Sequence, residues 1–161
     1  MDTSVSRPLA KRVPVVLAVA AVVVAVDQVT KVWATSALAD GVPVPVLGDF
    51  LRLRLLFNSG AAFSIGAGST WIFTVVTAVA VVVLGWFAFR PASSVQGVGL
   101  ALLLGGAVTH LWDRLFRPPG FGRGHVVDFI DYNGWFVGNV ADIALTVGAV
   151  LLVLSGLRKA E

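Results

Sequence analysis

Cysteine is absent from the chain, so no disulfide, thiol nucleophile or thiolate metal site is available. Charge is scarce as well: 13% of the residues are Asp, Glu, Lys or Arg, against roughly 25% in an ordinary soluble domain. The two histidines, His110 and His125, belong to no His-x-x-x-His or Glu-His cluster, which argues against zinc. No cofactor or metal is expected. Nor does an internal repeat or low-complexity tract stand out. What is abundant is apolar surface, with 57% hydrophobic residues and a mean hydropathy of +0.89 over 161 residues. A single integral membrane domain follows from that composition. The net charge of +3 and pI near 10.0 raise nucleic acid as a partner. The basic residues are scattered between apolar spans, so membrane topology is the better account of them and no nucleic-acid partner is expected.

Four apolar stretches are long enough to cross a bilayer, which needs about 20 residues each. Residues 1–12 are polar, with Arg7, Lys11 and Arg12 directly before an apolar run, as in a secretory leader. No small-residue cleavage site precedes Asp27, so 13–34 reads as a first span that is kept. Residues 69–89 offer 21 uncharged positions and residues 91–112 offer 22. Arg90-Pro91 breaks the chain between them, since proline disfavours helix in the residue before it. The fourth span is 139–157, with Asn139 placed to cap it. Arg7, Lys11, Arg12, Arg90, Arg158 and Lys159 then fall on one side in short segments, which puts both termini in the cytoplasm.

The two remaining segments, 35–68 and 113–138, become outer loops. In the first, Phe50-Leu-Arg-Leu-Arg-Leu55 alternates with period two, the mark of a half-buried strand. Pro43 and Pro45 upstream suit an edge strand or an extended lead-in. Asn58-Ser-Gly-Ala-Ala-Phe-Ser64 then reads as a small-residue turn back to the membrane. The second loop contains Arg117-Pro-Pro-Gly-Phe-Gly-Arg-Gly124, a flexible, turn-rich segment. Loops of this size in so small a protein are more often working parts than spacers.

The polar residues near the spans carry the functional question. Asp128 and Asp142 lie 14 residues apart across a Gly- and aromatic-rich connection able to turn back on itself. An acid at the mouth of a membrane helix is costly to keep and is a functional candidate by default. Two of them brought together would make a dyad in which one carboxyl holds a proton and the other does not. Asp113 competes with Asp128 for that role on pattern alone. Asp27 and Lys31, spaced i, i+4, read as a helix-surface ion pair or as a clamp beside a site. Asn58 is either a turn residue or an amide able to bind a substrate carbonyl. Arg114 is either a headgroup anchor or the partner of a carboxylate such as Asp113 or Asp131. Asn139 and Asp142 share one face of the first turn of the fourth span, where a cap and an acid are ordinary.

Together these pieces resemble the lipoprotein signal peptidase (signal peptidase II) family of four-span intramembrane aspartic proteases. The resemblance rests on Asp27-Gln-Val-Thr-Lys31, Asn58-Ser-Gly-Ala-Ala-Phe-Ser64, Gly105-Gly106-Ala with Asp113-Arg114, Val127-Asp-Phe-Ile130 and Asn139-Val-Ala-Asp142, in order along nearly the whole chain. It implies an all-α membrane fold with four transmembrane helices and a small extracytoplasmic β-cradle. It also implies Asp128 and Asp142 as the catalytic pair, with Asp27, Lys31, Asn58, Gly106, His110, Arg114 and Asn139 around them. The implied substrates are diacylglyceryl-modified prolipoproteins in the bacterial cell membrane, cleaved before the lipidated cysteine at the outer leaflet, with globomycin as an inhibitor. One chain holds a complete set of groups, so a monomer is expected. The chain departs from the family at Thr109-His110-Leu-Trp-Asp113-Arg114, where Gly-Asn-Leu-x-Asp-Arg is usual, and at Gly138, where Phe is. Ile143 stands where a small residue is common. Those departures keep a divergent inactive paralogue in view, and a small proton-coupled transporter or an inert scaffold are the rivals from other classes.

Overall fold

The computed structural model describes residues 9–60, 69–90 and 93–157, with side chains from residue 13 onward. Four helices carry the apolar stretches: α1 (Leu9–Ala37), α2 (Thr70–Ala88), α3 (Ser94–Phe116) and α4 (Val140–Leu157). All four are long and apolar enough to cross a membrane. Their outward faces show why: Val22, Val82 and Val153 are 62%, 71% and 62% exposed, an arrangement that water would penalise and hydrocarbon would not. α1, with 29 residues, is about 44 Å long. It exceeds the roughly 30 Å hydrocarbon core.

α3 is the central helix, packed against α1, α2 and α4. It starts later than residue 91, at Ser94, because Ser93 accepts from Gln96 N and Gln96 returns a bond to Ser93 N, a capping box that fixes the helix start. It also runs past 112 to Phe116, so Asp113 and Arg114 lie inside its last turns rather than beyond them. Glycine sets how close α4 comes. Cβ atoms built on Gly99 and Gly148 would meet each other's carbonyl oxygens at 3.0 and 2.8 Å, the close small-residue contact typical of membrane helix pairs.

The two loops join in one antiparallel sheet of order β1-β2-β3-β4, formed by β1 (Val44–Leu47), β2 (Leu51–Asn58), β3 (Val126–Tyr132) and β4 (Phe136–Gly138). β1 is an edge strand and carries Pro45, as its missing N–H requires. The second loop is therefore not a simple connection. β3 and β4 form a hairpin whose three-residue loop, 133–135, turns on Asn133 and Gly134 at φ 54° and 78°, with Trp135 N donating to Tyr132 O. Val126–Tyr132 lacks period-two alternation because five of its first six residues are buried, leaving no polar face to reveal it. Leu53, Leu55 and Phe129 pack the sheet onto Ala34 and Leu38 at the end of α1. The 117–124 segment is also stitched down. Gly122 N and Gly124 N donate to Leu115 O and Arg114 O, and Thr74 Oγ1 donates to Gly122 O. Ala61–Ser64 of the expected turn, Pro91, Arg7, Arg158 and Lys159 lie outside the described residues.

Candidate active site

The interior reverses ordinary protein polarity. Asp27, Lys31, Asp113, Arg114, Asp128, Asp131 and Asn139 are all buried, and they gather where the sheet meets α1, α3 and α4. The sheet supplies Asp128 from β3, and the first turn of α4 supplies Asp142. Asn139 links them. Its backbone N donates to Asp142 Oδ2 (2.9 Å), and its Oδ1 accepts from Asp142 N (3.2 Å), a reciprocal cap on α4. Its side-chain Nδ2 donates to Asp128 Oδ1 at 2.6 Å. One residue thus holds both carboxyls.

Asn58, the last residue of β2, donates through Nδ2 to Asp128 Oδ2 at 3.0 Å. Its Oδ1 accepts from Gly60 N at 3.0 Å, the bond of a turn residue, so both ends of the amide are engaged within the protein. His110 Nε2 stands 3.3 Å from Asp142 Oδ1. Asn58, His110, Arg114, Asp128 and Asp142 all line a cavity of about 380 Å³ whose far wall is apolar, from Phe73 and Ala80 on α2 to Leu145 on α4. Burial raises the Asp128 carboxyl to about 6 and the neighbouring Asp142 carboxylate adds to it, while the Asn58 and Asn139 bonds and His110 pull against them.

A second cluster lies beside the cavity but does not line it. Lys31 Nζ bridges Asp27 Oδ2 and Asp113 Oδ2, each at 2.6 Å, with all three side chains buried. The helix-surface reading of Asp27 and Lys31 is thereby replaced by a buried clamp. Asp113 Oδ1 accepts from Gln28 Nε2 (2.9 Å) and Arg117 Nε (2.7 Å). Asp27 Oδ2 accepts from Thr109 Oγ1 (2.6 Å) and Oδ1 from Ala141 N (2.9 Å). The Ala141 bond satisfies a first-turn N–H of α4 from another helix, so the clamp also bears on where α4 begins. Geometry separates Asp113, bound on both oxygens by cationic and amide partners, from Asp128, which faces the cavity.

Arg114 is neither a headgroup anchor nor the partner of Asp113 or Asp131. Its Nη1 donates to Asn58 O (3.0 Å) and Gly124 O (3.2 Å), and its Nη2 to Gly60 O. It ties the end of β2 to the start of β3 from beneath. Asp131 instead faces Arg52 and Arg54, at 3.3 and 3.5 Å, and accepts from Gly134 N. Gly106 serves helix packing, since a Cβ there would meet Leu145 Cγ at 2.7 Å. Ile143 is 44% exposed on the outer face of α4, so the departure at that position leaves the cavity untouched. Gln28, Thr109 and Arg117 were not foreseen. Thr109 shares a face with Asp113 one turn on, but nothing local links Gln28 to partners 81 and 89 residues away. Among the described residues no three acidic or histidine side chains gather in a way that would hold a metal.

The geometry now has relatives to stand beside. The family described as Signal peptidase (SPase) II matches residues 19–158. A protein of Mycobacterium avium (strain 104) named lipoprotein signal peptidase is 48% identical over 144 residues, covering 89% of this chain and 79% of that one. One of the same name from Mycobacterium tuberculosis (strain ATCC 25618 / H37Rv) is 46% identical, covering 89% and 71%. Among solved structures, a bacterial membrane enzyme determined by the in meso method at 2.3 Å resolution superposes with a TM-score of 0.80. Its identity is 30%, over 92% of this chain and 90% of that one.

Proposed function

The chain belongs to the signal peptidase II family, and from that premise we propose that it removes signal peptides from prolipoproteins as an aspartic endopeptidase, with Asp128 and Asp142 as the catalytic pair. The observation that carries the aspartic reading is Asn139, bonded to both carboxyls at the wall of a cavity that is otherwise largely apolar. In such surroundings two carboxyls share one proton more readily than they hold two charges.

The reaction needs no covalent intermediate. The ionised carboxyl takes a proton from a bound water as the water oxygen joins the scissile carbonyl carbon. The protonated carboxyl passes its proton to the carbonyl oxygen, giving a neutral tetrahedral diol. The first carboxyl then returns its proton to the leaving nitrogen as the C–N bond breaks. A diol hydroxyl gives its proton back to the second carboxyl, restoring the starting state with one water consumed. Asn58 and Asn139 hold the carboxyls still during these transfers, and Arg114 fixes the backbone that carries Asn58 and adjoins β3.

The proposed substrate carries its diacylglyceryl cysteine just after the scissile bond, with the lipid chains left in the bilayer and the bond brought to the cavity. The sheet then lies outside the cytoplasm and the termini within it, in keeping with the basic residues of the short segments. Homologues named lipoprotein signal peptidase, together with both acids in place, count against an inactive paralogue or a transporter. The test is cleavage of a lipidated prolipoprotein peptide in detergent micelles. Asp128→Asn and Asp142→Asn are each expected to lose at least ~1,000-fold in kcat while remaining folded, and globomycin is expected to block the parent. Full turnover by either variant overturns the dyad.

A further inference from the structure

Proton transfer between two carboxyls needs one of them charged and the other not, and nothing in a symmetric pair decides which. The surroundings here are not symmetric. Asp142 sits at the N-terminus of α4, where the helix dipole favours negative charge. Asp128 sits in the middle of β3 with no such field. A further asymmetry is His110 on α3, whose Nε2 is 3.3 Å from Asp142 Oδ1. That nitrogen is buried and makes no hydrogen bond to any other described group.

The charged groups around the imidazole are few. α4 presents Asp142 and β3 presents Asp128. Arg114, one turn on along α3, is spent on three carbonyl oxygens. The face of α2 across the cavity carries Phe73, Val76, Thr77, Ala80 and Leu84, with no ionisable group. From α1, Asp27 and Lys31 are paired with each other. Two acids and one guanidinium therefore share the cavity wall with the ring, and the carboxylate of Asp142 is the one in direct reach of its Nε2.

Resting on the dyad reading above, we propose that His110 is a positioning residue: as an imidazolium paired with Asp142 it fixes the negative charge of the dyad there. Asp142 is then the carboxyl that takes the proton from water, and Asp128 is the one that brings a proton to the carbonyl oxygen. The imidazolium keeps its own proton throughout. The raised Asp128 carboxyl agrees with this division of labour. An amide at position 110 would fill the space and offer a hydrogen bond, but it would bring no charge.

The experiment is the pH profile of kcat/KM for the parent and for His110→Asn, measured in micelles on a lipidated prolipoprotein peptide. An opposite charge this close moves a carboxyl by about a unit or more. Without it the ascending limb of the profile is expected to shift about one unit toward higher pH, so the variant loses ~10-fold near pH 5. The deficit shrinks above pH ~8, where an imidazole is ordinarily neutral. KM is expected to change less than kcat. A loss by the same factor at every pH, or superimposable curves, overturns the proposal. His110→Gln repeats the test should the Asn variant fold poorly. In the unmodified protein, ring ¹⁵N shifts showing a neutral imidazole at pH 5 overturn it independently. Activity surviving in Asp128→Asn or Asp142→Asn would instead sink the dyad itself, so the two failures are distinguishable.

Discussion

The polar end of the bundle holds two sets of buried carboxyls, and they are satisfied in opposite ways. Asp27 and Asp113 share Lys31, and Arg117 adds a second cation, so two negative charges meet two positive ones. Every carboxyl oxygen of that set accepts a bond from α1, α3 or α4. Asp128 and Asp142 have amides, a backbone N–H and an imidazole, but no lysine. The nearest arginine, Arg114, gives its hydrogens to carbonyl oxygens instead. The first set is neutral and closed, which makes it structure. The second has no lysine or arginine bonded to its carboxyls and turns them toward a cavity, an arrangement suited to exchanging a proton.

The largest effect that would sharpen this contrast is loss of the shared lysine. Lys31→Met leaves two carboxylates in a buried site with one cation fewer, and stripping one partner from such a network costs about 3–5 kcal/mol. Thermal unfolding in detergent is the readout, with a fall in Tm large enough to lower the yield of folded protein. The comparison variant is Asp128→Asn, which should lose catalysis and keep its fold. Should Lys31→Met prove as stable as the parent, the clamp is not what holds α1, α3 and α4 in register, and the distinction between the two sets fails.

How much of this was legible beforehand depends on the kind of signal. The spans were plain because twenty apolar residues in a row are read without knowing any partner. The Leu51–Asn58 strand was visible because its arginines broke the apolar run. Val126–Tyr132 was not, since burial on both faces removed the alternation, and the Asn133-Gly134 turn was the remaining clue. In the site, the nearness of Asp27 to Lys31 and of Asn139 to Asp142 could be read from helical spacing. The link from Asp27 to Ala141 spans 114 residues, and that of Arg114 to the carbonyls of Asn58 and Gly60 depends on where β2 ends. Contacts of that kind come from the tertiary fold, and spacing says nothing of them.

A smaller effect tests how tightly the second set is held. Gly138 lies between β4 and the cap of α4, and a Cβ there would meet Phe136 Cε1 at 2.6 Å and Asp142 Oδ2 at 2.8 Å. The Phe136 ring thus occupies the space that a larger residue at 138 would take, and it lines the cavity in doing so. Gly138→Ala must displace the ring, the carboxyl or both. Since a shift of about 1 Å in a catalytic group can cost up to ~100-fold, an intermediate loss of ~10-fold in kcat is expected, with stability close to the parent's. An unchanged kcat would show that Asp142 tolerates displacement, and that the geometry of the pair is looser than the bonds to Asn139 imply.

The smallest effect separates the two sets by pH. Asp128 is raised from 3.8 to about 6 on folding, so between those values the folded protein binds more protons than the unfolded chain. Stability therefore falls as pH rises through that window, and the cost is fully present above about 6. Asp128→Asn should accordingly flatten the decline in Tm between pH 4 and 7 rather than shift the whole curve. The gain is tempered because Asn58 and Asn139 both donate to Asp128, and an amide can accept from only one of them through its oxygen. A few degrees in Tm at pH 7, vanishing near pH 4, is the expected size. A variant whose curve runs parallel to the parent's would mean that Asp128 does not hold its proton in the folded protein, and the contrast between the two sets would lose its electrostatic basis.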